Sequence, residues 1–161
     1  MSGRIHRFAD VTTPASAPVY EVRARRHGPG DTEIEIWQLP SPASPHLAAP
    51  TRLAGLRGRN LELVEHRVLR RLAQAGVRLT GREALRKEGH RVTEDLALTL
   101  GLLFRTLAPM RSRDNMRAVA EGIEAMGREE AAYWLGMAMH RRHPRRVLTA
   151  LRFLLTGPRH A

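Results

Sequence analysis

The hydrophobic period changes once along this 161-residue chain, and that change decides what it can fold into. Up to about residue 57 apolar side chains alternate with polar ones, the period of a half-buried strand; from Asn60 onward they recur every three or four residues, the period of a helix. Strands gathered at one end and helices at the other predict a segregated α+β domain, not the alternating units of a parallel sheet.

Val19 to Arg26 and Thr32 to Leu39 are β-patterned and flank His27-Gly28-Pro29-Gly30-Asp31, a strong turn signal. Pairing across that loop sets position 25 against 33, 23 against 35 and 21 against 37. Arg25 then faces Glu33 and Arg23 faces Glu35, while Tyr20, Val22, Ala24, Ile34 and Ile36 share the other face. Pro40, Pro42, Pro45 and Pro50 make 40–50 a connector, and Thr51 to Leu56 can add a third short strand. A two-stranded hairpin is marginal alone, so this sheet must pack on the helices that follow. Residues 1–17 read as an arm, and 18–161 as one domain with its sheet in 18–57 and its helices in 60–156.

The helical part predicts a bundle of about five helices. Asn60 to Gly76 carries Leu61, Val64, Val68 and Leu72 on one face, and a capping box at Thr80 and Glu83 opens a short helix ending at Gly89. Thr93-Glu94-Asp95 caps a helix to about Ala108 that is apolar nearly all round, as suits the centre of the core. Ser112 or Asp114 caps the next, striped by Met116, Val119, Ile123 and Met126. Glu129 and Glu130 sit in the first turn of another, with Trp134, Leu135, Ala138 and Met139 inward; the short connection between these two predicts antiparallel neighbours. Pro144 opens a C-terminal helix that ends before Gly157.

Aromatic residues make up 4% of the chain, so this core is built from Leu, Ala, Val and Met. There is no cysteine, which excludes disulfides, thiolate nucleophiles and Cys-based metal sites. The first ten residues lack the apolar stretch of a secretory signal, and the longest apolar run, Leu96 to Leu107, is shorter than the roughly 20 residues a membrane span requires; a cytoplasmic protein is expected.

The net charge of +11 points to a polyanionic partner, although 26 Arg to a single Lys is also what GC-rich coding produces. Position is more informative than number. Residues 1–58 carry +2, 59–91 carry +5, 92–127 carry −1 and 128–161 carry +5. In the last segment Arg141, Arg145, Arg152 and Arg159, with Thr149 and Thr156 between them, share one helical face; Arg142 and Arg146 flank it, and Val147, Leu148, Leu151, Leu154 and Leu155 occupy the other. No acid follows Glu130. Arg67, Arg70 and Arg71 can extend this basic track, though the arginines of 59–91 are interleaved with Glu62, Glu65, Glu83 and Glu88 and read more readily as a solvated face. The face predicts sequence-independent binding of a DNA or RNA backbone, or, alternatively, docking of a protein adaptor on an acidic partner surface.

Other chemistry finds little support. The eight histidines are dispersed; His140 and His143 are close, but Arg141 and Arg142 between them would repel a cation, so no metal site is expected. Gly28-Pro29-Gly30 lacks the helix and Lys of a phosphate-binding loop, and no nucleophile elbow or zinc-protease motif occurs. No catalytic residue and no cofactor is expected; His90, His140 or His143 converging on a carboxylate would reopen the question. Gly101, Gly122 and Gly136 interrupt helices at a cost that close packing must offset, either between helices or, at Gly122 and Gly136, against a partner. Tyr133 is a second interface candidate, beside a core Trp134.

Gly101-Leu102-Leu103-Phe104, the following Leu107-Ala108-Pro109, the stretch Met116 to Met126 and Glu129 to Trp134 together resemble a family of small uncharacterised prokaryotic proteins associated with anti-phage defence gene neighbourhoods. The resemblance covers about residues 95–135 and carries no catalytic residue. It implies an accessory subunit working beside helicase, nuclease or methyltransferase components, or within an RNA-guided effector assembly.

Overall fold

A computed structural model describes residues 17–58, 70, 90–140 and 142–157. The two helices expected over 60–76 and 80–89 lie outside these residues, apart from Arg70, as does most of the arm. Among the described residues there are four helices and one four-stranded antiparallel sheet, an α+β architecture with strands first and helices after. The strands are β1 (Val19–Gly28), β2 (Asp31–Leu39), β3 (Thr51–Arg57) and β4 (His90–Val92), ordered β3-β2-β1-β4. The helices are α1 (Glu94–Leu107), α2 (Arg113–Ala125), α3 (Arg128–His140) and α4 (Pro144–Thr156).

The hairpin pairs in the expected register, Arg25 with Glu33, Arg23 with Glu35 and Glu21 with Trp37. Pro29 and Gly30, with φ of +70° at Gly30, make the turn, and a register shift at His27 lets the strands pair on either side of it. Tyr20, Val22, Ile34 and Ile36 are buried on one face with Leu53, Ala54 and Leu56 of β3. Leu53 is the extra residue of a bulge between Ile36 and Trp37, and its carbonyl accepts a hydrogen bond from Arg105 Nε of α1 at 2.8 Å. Strand β4 was not legible in the sequence; it pairs Val22 with His90 and Tyr20 with Val92, on the free edge of β1.

Helix α1 is the centre of the core, with nine buried positions on most of its circumference. Thr93 Oγ1 accepts from Leu96 N–H at its start. The sheet covers one side of α1, chiefly through β3, and α2 and α3 cover others. The expectation that α2 and α3 are close neighbours is corrected here: both contact α1 and α4, with at most marginal contact between them. Their two-residue link fixes succession along the chain, and α4 packs on both helices through Leu148, Leu151 and Leu155. No helix among the described residues is long and apolar enough to cross a membrane.

Candidate nucleic-acid interface

Most of the ion-paired arginines among the described residues lie on the sheet. On its outer face Arg23 Nε lies 2.7 Å from Glu21 Oε1, and Arg52 Nε and Arg25 Nη1 lie 3.6 and 3.8 Å from Glu35 Oε1. Arg52 also pairs with Glu33, and Arg57 donates to both carboxylate oxygens of Asp31, with Nε to Oδ1 at 2.9 Å. Strand pleat explains the cluster, because alternate residues of β1 and β2 that leave the core must meet on this side. The expected cross-strand pairs have slid to diagonal ones: Arg25 reaches Glu35, and Arg23 bonds within its own strand while lying 5.1 Å from the Trp37 ring centroid. Trp37 Nε1 donates to Glu35 Oε2 at 2.8 Å, and Glu35 is buried beneath this layer. A Cβ on Gly55 would collide with Arg52 and Glu33, so a glycine there is what lets Arg52 lie across β3. The hydrogen bonds from Arg57 hold the Asp31 carboxyl below its ordinary pKa, while burial, with Arg52 nearby, lowers the Arg105 guanidinium from its own.

Exposed arginines without an ion pair among the described residues include Arg91 of β4, Arg111 before α2, Arg113 and Arg117 on α2, and a group at the start of α4. Arg142, Arg145 and Arg146 are exposed, and among the described residues none has a carboxylate within ion-pairing distance. Arg128 of α3, by contrast, reaches Glu94 at 3.5 Å and Asp95 at 3.9 Å. The first turn of α4 has no acid, and His143 supplies no side-chain cap, so two guanidinium groups stand where the helix dipole is already positive.

The ridge is shorter than the sequence suggests. Arg152 is half-buried, with Nε enclosed and without a hydrogen-bond partner, because it flanks the side of α4 that docks through Leu148 and Leu151. Thr149 and Thr156 donate to the carbonyls of Arg145 and Arg152, each at 2.7 Å, so their hydroxyl protons serve the helix itself. Arg70 is exposed. Arg67, Arg71, Arg141 and Arg159 lie outside the described residues.

Among the described residues three large apolar side chains are exposed: Tyr133 (59%), Phe153 (67%) and Leu154 (68%). Leu154 was expected on the packed face of α4 and is not. The docking stripe Leu148, Leu151, Leu155 advances by three and four residues, which leaves 154 about a quarter-turn outside it. Phe153 was missed altogether; its signal was its place seven residues after Arg146, on the polar side. Tyr133 packs edge-on to Trp134, with centroids 5.7 Å apart, and Trp134 is half-buried against the core. Gly101 lies under Leu135 and Gly122 under Leu155, so both glycines serve contacts within the chain, whereas a Cβ on Gly136 would meet nothing within 4 Å.

Among the described residues no three metal-ligating side chains converge. His140 and His143 are exposed, and His90 lies in β4. A histidine–carboxylate contact does occur at His27 Nε2 and Glu33 Oε2, 2.8 Å apart, within the ion pairs of the sheet.

A family model described as a domain of unknown function, DUF7680, matches residues 20–157. No curated protein and no solved structure matches the chain.

Proposed function

We propose that this chain, which belongs to the DUF7680 family, is a non-enzymatic module that holds a nucleic-acid backbone against the exposed face of α4. The observation that carries this reading is the close grouping of exposed, unpaired arginines at the start of α4, in a stretch with no acid after Glu130. On the sheet Arg23, Arg25, Arg52 and Arg57 are paired with neighbouring carboxylates, and a salt-bridged guanidinium has little left for a phosphate; Arg142, Arg145 and Arg146 have no such competitor. Phosphate contacts of this kind give binding without sequence preference. The proposed setting is an accessory subunit of a cytoplasmic prokaryotic nucleoprotein complex, with antiviral defence drawn from the resemblance of residues 95–135 alone.

Fluorescence anisotropy with labelled single- and double-stranded oligonucleotides across a salt series tests the reading. Three phosphate contacts give a slope of log K against log salt of about −2 to −3. Absence of binding to any DNA or RNA at low salt would remove the proposal.

A protein partner with an acidic surface is the second reading, favoured by the exposure of Tyr133 and Leu154. Under it, R145E with R146E abolishes capture of that partner while oligonucleotides are ignored throughout.

A further inference from the structure

We infer that the nucleic acid held on α4 is single-stranded, with the Phe153 ring as the platform on which one base stacks; this rests on the backbone-binding reading above. Phenylalanine occurs three times in the chain, and Phe104 is fully buried in the core, yet Phe153 is 67% exposed. Its position is specific. Seven residues after Arg146, it lies within about 20° of the same line along the helix, two turns further on, with the small exposed Ala150 in between. Leu154 points about 100° away from Phe153 and does not belong to this line. The track therefore runs from Arg142, just before the helix, through Arg145 and Arg146 in its first turn and a low stretch at Thr149 and Ala150 to an aromatic ring.

Cations and aromatic rings in one track are what a single strand requires and a duplex does not. A duplex keeps its bases stacked inside and shows its phosphates, so a ring beside the phosphate track gains little; a single strand offers both phosphates and open base faces. Because every base has such a face, the arrangement keeps the sequence independence of the backbone contacts.

The test is anisotropy with a labelled 12-residue oligothymidine, an oligouridine of the same length and a 12-base-pair duplex, using the full chain and F153A, F153L, F153W and R145E/R146E. The exposed position allows all four variants to fold, which thermal unfolding checks. Tighter binding of single strands than of duplex is expected, with F153A and F153L weakening the single strands by about 5- to 150-fold, F153W retaining affinity, and the salt slope unchanged in all three. R145E/R146E loses every oligonucleotide. If duplex and single strands bind alike and F153A changes neither, the inference falls while backbone binding stands. If F153L binds as the wild type does, Phe153 supplies apolar contact without stacking, and the inference again falls. If no oligonucleotide binds at low salt, and vesicles of anionic phospholipid bind in its place, both readings fall together.

Discussion

A Cβ built on Gly122 would lie 2.7 Å from Leu155 Cδ2 and 3.3 Å from its Cγ, whereas one built on Gly136 meets nothing within 4 Å. The same residue type in two helix interiors therefore predicts opposite outcomes. G122V forces Leu155 and α4 outward and is expected to destabilise the fold by about 1–3 kcal/mol. G136A removes the backbone entropy of a helical glycine without a clash and stabilises by about 0.5–1 kcal/mol. Urea unfolding midpoints of the two variants read both signs. Tyr20 gives a third residue-scale prediction. Burial, reinforced by the charge of Glu94, raises its phenol above the ordinary value of about 10. The folded state then resists ionisation that the unfolded state undergoes, so the stability linked to this group is complete below about pH 10 and is lost as pH rises toward the folded value. Y20F lacks that loss, and its urea midpoint should gain on the wild type between pH 9 and pH 11.

Helix α1 sets the position of everything that packs on it, and its start is held by Thr93 Oγ1 on Leu96 N–H with Glu94 and Asp95 in the first turn. T93A is expected to cost about 1 kcal/mol, read from the midpoint of chemical unfolding with an unchanged slope. Elements with a long period were legible in advance. The alternation of Tyr20, Val22, Ala24, Ile34 and Ile36 set the hairpin register, because a slip of one residue would turn all of them to solvent. Ser112 and Thr93 were legible as caps for the same local reason. Strand β4 was not: three residues cannot display a period, and what defines it is the free edge of β1. The arrangement of α2, α3 and α4 was not legible either, since loop length constrains succession, while the seating of α4 depends on Gly122 admitting Leu155. On α4 itself the basic face was legible, but the docking direction that half-buries Arg152 and exposes Phe153 and Leu154 follows from contacts with α2 and α3.

Across the molecule, part of the net charge of +11 is offset locally by ion pairs on the sheet, whereas the arginines at the start of the terminal helix carry theirs unpaired. That separation lets folding and binding be pulled in opposite directions by one substitution. Arg145 and Arg146 occupy the first turn of α4, are exposed, and have no ion pair to lose. Replacing both by glutamate puts negative charge where the helix dipole favours it, and lowers the repulsion among three neighbouring cations. At about 0.3–1 kcal/mol for each residue, R145E/R146E is expected to raise Tm by roughly 2–6 °C at low ionic strength. The same change sets two anions in the path of a phosphate backbone, so oligonucleotide binding should disappear at every salt concentration. A destabilised variant that also failed to bind would leave structure and function entangled, whereas a stabilised one that fails to bind assigns the arginines to a partner. Differential scanning calorimetry and anisotropy on one preparation measure the two effects together. Retained affinity in the stabilised variant would show that the unpaired arginines of α4 are a solvated face.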